Sequence, residues 1–415
     1  MMRLSKRILF LAVFISCISF PCRCGSMPGA GNARMAELMA EGIAAGEMAV
    51  GTVKMECIEA VYCAVYEEAI RTNTAGSLDM MRSMIAELGK RGYAAVDSEN
   101  QVNMVNPELV IQFNEAVEAG KVAKLMIVVP SCSGGLTKYD LETEKGKVNI
   151  VREYDQYESG YLKRRSIAAY SAEAWQYTDE GYLLFQGNYY SEESYVLVLD
   201  DEPESAALRV EPLAEKCREL NRRYILPVGY QMNELFLMDW SEEDWSGINF
   251  YDMFEVLYDK ADGHSSPYVM NPNPNIGEIY HVPEEEFETV IMRYFKIDRE
   301  VLRARTSYLS QERAYEYRPR GFYELGYSNI PYPEVVDYEV LPDGTIALTV
   351  SAVFPYEGTA EAYSHKVVIR PLQDGSFQYV SNEILTPEAD YDVWWYSERL
   401  TEEAWKEIYG ENEEK

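Results

Sequence analysis

Hydrophobic positions along this chain recur with different periods, and the period selects the element. From Ala33 to Gly92 the pattern is helical: Val53, Cys57, Val61 and Val65 repeat at four-residue steps, with Ile58 and Tyr62 widening the stripe. Ser77 precedes a second periodic run through Met80, Met84 and Leu88, and Gly92 supplies the glycine that helix ends favour. Pro107 opens a third helix running to Ala119, since proline lacks only an amide hydrogen that the first turn leaves unpaired anyway.

Beyond Ala119 the pattern changes to strands. Residues 125–129 form a continuous apolar run that ends in Pro130-Ser131-Cys132-Ser133-Gly134-Gly135. Alternation then predicts strands at 139–143 and 148–154 around a Lys145-Gly146 turn. Further strands are expected at 172–177, at 182–185 after the Thr178-Asp179-Glu180-Gly181 turn, and at 194–199. Pro212 starts a helix carrying Leu213, Cys217, Leu220 and Tyr224, and the aromatic, acidic stretch 239–258 holds a short one. Residues 263–279, rich in Pro, Asn, Ser and Gly, read as a linker or long loop.

Pro283 starts a helix whose first turn holds Glu284, Glu285 and Glu286, at the positive end of its dipole. Four strands follow at 335–340, 346–354, 362–370 and 376–381, with turns at Pro342-Asp343-Gly344 and Gln373-Asp374-Gly375. The expected fold is α+β: N-terminal helices, a central antiparallel β meander, and a C-terminal helix packed on a four-stranded antiparallel sheet, a cystatin-like or nuclear-transport-factor-like layout. The corresponding regions are a leader at 1–33, a helical region at 34–122, a β-rich α+β region at 123–262, the loop or linker at 263–280 and a C-terminal α+β domain at 281–415.

The first twenty residues follow neither period. Arg3, Lys6 and Arg7 precede the apolar run ILFLAVFISCISF. A basic head before about a dozen apolar residues marks an export signal, too short to span a bilayer comfortably. A buried amphipathic helix would need a polar face, which this stretch lacks. Cys17, Cys22 and Cys24 lie where a lipid-modified cysteine would, and Cys17 is the candidate because Pro21 disfavours cleavage before Cys22. Ordinary cleavage near Gly31-Asn32-Ala33 is the alternative, so the exported product is either a membrane-anchored lipoprotein or secreted.

Charge narrows the partners. The chain carries 38 Lys+Arg against 69 Asp+Glu, a formal charge of −31, and the leader holds none of the acids. Such a surface repels phosphates and anionic headgroups, which excludes nucleic acid and leaves membrane contact to the leader or a lipid anchor. Of the later cysteines, Cys57 and Cys63 point about 120° apart on one helix and cannot bridge. Buried thiols or one long-range disulfide remain for Cys57, Cys63, Cys132 and Cys217.

Candidate chemistry is sparse. The Ser131 to Gly135 stretch lacks the glycine spacing and following helix of a nucleophile elbow or phosphate cradle, so it reads as a turn. His264, His281 and His365 show no mutual spacing of a metal site, and Asp259 with Asp262-Gly263 lacks the alternating oxygens of a calcium loop. No metal and no cofactor is predicted. The densest acid–aromatic group is Trp240, Glu242, Glu243, Asp244 and Trp245, where ring faces would stack on sugars while acids accept hydroxyl hydrogens or act on a glycosidic bond. A turn with core tryptophans and solvated acids is the alternative. Arg318 and Arg320, in Arg318-Pro319-Arg320-Gly321, form the compact basic stretch that would anchor an anion or pair with the protein's own carboxylates.

Four stretches carry a family resemblance: Tyr224-Ile225-Leu226-Pro227-Val228-Gly229-Tyr230, Arg318-Pro319-Arg320-Gly321, residues 367–372 and residues 374–382. With them the chain resembles a family of exported proteins of clostridia-type gut bacteria carrying a domain of unknown function (6070). The resemblance spans most of the mature chain and implies no activity, substrate or catalytic residue. The expected role is a non-enzymatic cell-envelope or secreted protein binding a glycan ligand or protein partner. A carboxylate-dependent glycan hydrolase and a structural or assembly component are the alternatives. Metabolic labelling with a fatty acid tests the anchor: the wild-type chain should take up label and Cys17→Ala should lose it, whereas an unlabelled wild type would mean free secretion.

Overall fold

In the computed structural model, which describes residues 48–188, 204–327 and 329–410, the helical period at the start of the chain becomes two helices. They are α1, Met48–Arg71, and α2, Leu78–Lys90. The chain divides into two compact units, 1–56 and 57–415, and of the first only 48–56 are described, as the opening of α1. Ser77 caps α2 by accepting the Met80 amide at 3.1 Å, satisfying a first-turn donor that no helical carbonyl can reach. Met80, Met84 and Leu88 are buried, as their spacing requires. The third helix, α3, is Pro107–Glu118, and Asn106 before it ties it to α2 through bonds to the carbonyls of Gly89 and Tyr93.

Five strands make the first sheet: β1 (Ala94–Ala95), β2 (Ala123–Pro130), β3 (Gly135–Glu144), β4 (Lys147–Glu158) and β5 (Tyr161–Ser171), paired in that order. The β1–β2 pair is parallel and the others antiparallel. On β2, Leu125, Ile127 and Val129 pack with α3 while Val128 joins Tyr62, Met84 and Leu88 on the other face. Burial on both faces explains why this strand is a continuous apolar run. The β3–β4 turn has φ of 55° at Lys145 and 78° at Gly146, the left-handed pair that matches strand twist in a two-residue hairpin.

The sequence pattern predicts no strand between 154 and 172, yet β5 lies there. It is the sheet's outer strand, with Ala168 and Tyr170 buried and Leu162 half-buried on one face, but hydrophobicity does not follow that burial, since Ile167 is exposed between half-buried Ser166 and buried Ala168. Its charges pair across to β4, Arg164 with Glu153 at 2.8 Å and Lys163 with Glu158 at 3.6 Å. A second sheet follows, β6 (Ala174–Tyr177), β7 (Tyr182–Gly187) and β8 (Glu204–Arg209). The strand expected at 194–199 falls outside the described residues, and β7 pairs antiparallel with β6 on one side and β8 on the other.

After Val210 the core changes over to a second hydrophobic cluster that begins at Leu213. Helix α4, Glu215–Leu220, passes into a π-helical turn at Asn221–Ile225. Then come β9 (Trp240–Ser241), α5 (Phe250–Asp262), β10 (Tyr280–Pro283), α6 (Glu284–Tyr294), α7 (Arg299–Ala304), β11 (Tyr308–Leu309) and β12 (Ala314–Tyr317). Residues 263–279, all described, carry neither helix nor strand. The four C-terminal strands appear in the expected order: β13 (Tyr332–Val340), β14 (Ile346–Val353), β15 (Ser364–Pro371) and β16 (Phe377–Ile384). Helix α8, Glu402–Tyr409, closes the described chain.

The α+β class therefore holds, while the C-terminal part is richer than one helix on four strands. Strand β9 adds a fifth member beside β16, and β10, β12 and β11 form a separate antiparallel sheet. Helix α6 presents Phe287 and Ile291 to a core shared with Phe254 of α5 and Val350, Val367 and Tyr379 of the large sheet. A buried ion pair, Arg209 of β8 with Glu334 of β13 at 2.5 Å, joins the two halves of the chain.

Burial sets the cost of core truncation. Leu348→Ala, within the second core, should lose about 2–5 kcal/mol, whereas Ile167→Ala on the exposed β5 should stay within about 0.5 kcal/mol. Urea unfolding midpoints of the two variants read the difference.

Candidate functional site

Helix α5 starts at Asn249, whose side chain accepts the Tyr251 amide at 3.1 Å. One residue further on lies Asp252, fully buried in the first turn. A buried carboxylate is tolerated only if its charge is matched in place, and two arginines do this. Arg320 forks onto it, Nε to Oδ1 at 2.9 Å and Nη2 to Oδ2 at 2.8 Å. Arg399 adds its Nε to Oδ1 at 2.8 Å and gives Nη2 to Glu255 at 2.6 Å. The remaining guanidinium hydrogens go to backbone: Arg320 donates to the Ser397 carbonyl at 2.7 Å and Arg399 to the Arg318 carbonyl at 2.5 Å. Burial alone would raise the Asp252 carboxyl, but the Arg399 and Arg320 charges and hydrogen bonds outweigh it and hold it below the usual range.

Glu234 completes the network. It is buried, accepts the Asn249 amide, and accepts the Tyr396 hydroxyl at 2.9 Å. The two arginines are already balanced by Asp252 and Glu255, so Glu234 has no cation of its own. Burial, and after it the neighbouring Asp252 charge, pushes its carboxyl up to about 8, and it is protonated at neutral pH. Helix α5, the Arg318 to Gly321 stretch and the segment 396–400 are thus fastened at one buried point.

Above this point opens a cleft of about 610 Å³, lined by Asn249 and Tyr251 from α5, Arg305 at the end of α7, Glu316 and Arg318 around β12, and Arg399, Glu402 and Trp405 from the C-terminal segment. Arg318 lies 5.2 Å from the centroid of the Trp405 ring, pairs with Glu316, and sits 3.8 Å from Glu402. Arg305 is exposed and, among the described residues, has no ion-pair partner. The cleft therefore offers one exposed guanidinium, at Arg305, and a second, at Arg318, held by exchangeable carboxylates beside the Trp405 ring.

The residues singled out from sequence fall in different places. Trp240 and Trp245 stack on each other at 5.5 Å inside the core, and the Trp240 indole donates to the Leu235 carbonyl at 2.7 Å. Neither has a free face for a sugar. Glu242 is gripped by Arg370 through bonds of 2.6 and 2.7 Å. Glu243 is exposed, and Asp244 accepts the Ser246 amide at 2.9 Å, its carboxyl held below the usual range by the Ser246 hydrogen bonds. These five form a packed turn with solvated or paired acids. Arg318 and Arg320 take opposite roles, one in the cleft wall and one beneath it. Cys17 lies outside the described residues.

The other motifs are structural. Ser131 to Gly135 is the β2–β3 turn, with the Gly135 amide bonded to the Ser131 hydroxyl at 2.9 Å. His365 is buried between the Tyr230 hydroxyl and Asn382 at 2.9 and 2.7 Å, and burial pushes its pKa down to about 4, so the ring is neutral. His281 pairs with Glu312. Cys63, Cys132 and Cys217 are free thiols; Cys217 is buried, the other two are half-buried, and the Cys57 side chain lies outside the described ones. Among the described residues no group of three or more His, Cys, Asp or Glu is placed to hold a metal ion, and no helix is long and apolar enough to cross a membrane.

Asp252, Glu234, Glu255, Tyr396 and Arg399 are absent from the sequence-based candidates. Asp252 carries a readable signal, an acid lodged among Phe250, Tyr251, Met253 and Phe254. Arg399 carries none, since its partners lie far away along the chain.

The Glu234 proton links stability to pH. The ordinary carboxyl value is 4.5 and the folded one about 8, so between them the folded protein keeps a proton that the unfolded chain releases. This contribution is complete below the lower value and is lost as pH rises through the window. Glu234→Gln keeps a hydrogen-bonding side chain without titrating, and should flatten the fall in Tm between about pH 5 and about pH 8; an unchanged pH profile would place the proton elsewhere.

Residues 51–399 match the model of a family of unknown function (DUF6070), a span that takes in Asp252, Arg320 and Arg399 and stops short of Trp405. No curated protein and no solved structure matches the chain. With all but its two ends matched, the chain belongs to this family of unknown function, DUF6070.

Proposed function

We propose that this protein is a non-enzymatic binding protein that works outside the cytoplasm, anchored in the cell envelope or secreted, and takes a polar ligand with an anionic group into the cleft at Arg305. Export is supported by the basic residues and apolar run of its first twenty residues. Binding is supported by one observation above the rest: an open arginine facing a cleft of about 610 Å³ in a protein whose formal charge is −31. Cationic side chains are scarce here, and buried Arg209 and Arg320 are spent on carboxylates, so an exposed guanidinium at a cleft, with the Asp244 charge in its neighbourhood but no carboxylate bonded to it, is available to a guest. Its planar fork suits a carboxylate, as Arg320 already demonstrates on Asp252. Screening at physiological salt confines the surrounding acidity to about 8 Å, so the site can hold an anion locally.

The rival from another class is a carboxylate-dependent glycan hydrolase, favoured by Glu316 and Glu402, which approach the same cleft around Arg318. A panel of dicarboxylates, uronic-acid oligomers and cell-wall fragments, read by thermal shift and calorimetry, separates the two. The expected result is binding without turnover, weakened at least tenfold in Arg305→Ala with Tm unchanged. Release of reducing ends by the wild type, lost in Glu316→Gln or Glu402→Gln, would replace the binding reading with the enzymatic one.

A further inference from the structure

Most aromatic side chains in this chain are spent on its cores, but one group is turned outward. Tyr323, Leu325 and Tyr327 are 46%, 45% and 53% exposed within a single short segment. The Tyr327 ring meets the half-buried Trp394 ring edge-on, with centroids 5.1 Å apart. Trp394 in turn borders Tyr356 at 5.9 Å and is oriented by its indole hydrogen, which bonds the exposed Glu357 carboxylate at 2.7 Å. Trp394 and Tyr356 are anchored by packing on the core beneath, whereas Tyr327 is not part of that core. An exposed tyrosine that adds little to packing, held against a tryptophan whose angle is fixed by a carboxylate, is an arrangement preset for contact.

We infer that the surface formed by Tyr327, Trp394 and Tyr356, with Glu357 at its rim, is a binding platform for an uncharged oligosaccharide. Two properties of the patch select that occupant. Pyranose rings present an apolar C–H face that stacks on aromatic rings, and their hydroxyls need acceptors such as Glu357 at the ring edge. The carboxylate bonded to Trp394, Glu357, and the exposed acid two residues before Trp394, Asp392, are both negative, which disfavours uronic or sialic acids and favours neutral sugars. This surface is separate from the Arg305 cleft, and its ligand class is opposite in kind.

The test is calorimetric titration of the intact exported chain with soluble cello-, xylo- and chito-oligosaccharides. At least one series should bind, with Tyr327→Ala weakening it about tenfold, and Tyr327→Phe, which keeps the ring, restoring most of the affinity. Tyr161→Ala, removing an exposed tyrosine on β5, should leave binding unchanged. Trp394→Phe serves as a second variant, with Tm measured to show that the fold persists. Failure of all three series to bind, equal binding by Tyr327→Ala, or a concentration-dependent dimer that Tyr327→Ala dissolves would each overturn the assignment, the last by giving the surface to a second copy of the chain.

Discussion

A charge taken out of water must be answered inside the protein, and that constraint organises this molecule. Asp252 is the clearest case. Placing its carboxylate beneath the surface is feasible because Arg320 and Arg399 arrive from distant parts of the chain to neutralise it. Their arrival fixes where the Arg318 to Gly321 stretch and the segment around Ser397 must run. The cleft walls follow from those paths, since Arg318, Arg399 and Trp405 hang from the same two segments. Removing Asp252 would leave the buried Arg320 without its counter-charge, a far larger penalty than the net worth of the pair. The same logic recurs at Arg209 and Glu334, where the two halves of the chain meet.

Glu234 shows the other way to satisfy the constraint. With the available cations used, its carboxyl stays protonated instead of ionised, and it remains beside Asp252 as a neutral hydrogen-bonding group. His365 does the equivalent for a base, staying neutral between Tyr230 and Asn382. Several buried tyrosines extend the pattern by offering a hydroxyl to a carboxylate or carbonyl, as Tyr317 does to Glu255 at 3.0 Å and Tyr379 to the Tyr224 carbonyl at 2.7 Å. A tyrosine-rich, arginine-poor core is the form that polar burial takes in so acidic a chain.

Where local pattern determines an element, the sequence is legible. Helices α2, α3 and α6 begin at Leu78, Pro107 and Glu284, each directly at or next to its readable start signal, and the four C-terminal strands lie where alternation and Asp-Gly turns put them. Strand β5 escapes because its apolar residues do not track its burial, with Ile167 exposed beside buried Ala168, although Ser159-Gly160 before it adopts the same left-handed pair as Lys145-Gly146. The candidate site is legible only in part. Arg318 and Arg320 stand out by charge, but nothing local says that one lines a cleft while the other lies beneath it. Trp240 and Trp245 mislead because neighbouring acids look alike whether the indoles point in or out. Long-range convergence, of Arg399 on Asp252 above all, leaves no trace in a window of neighbouring residues.

Strand β5 has a bearing on how the molecule keeps company with itself. Its outer row of amides and carbonyls is unpaired among the described strands, a template onto which another β-strand would add. Lys163, Arg164 and Arg165 lie consecutively along it. A second copy adding at this edge would have to accommodate three long charged side chains, each ion-paired to Glu153 or Glu158 of β4, a cost that discourages fibrillar stacking without any loss of the strand itself. In a chain otherwise dominated by acids, a few basic residues thus act as the guard against self-templated assembly.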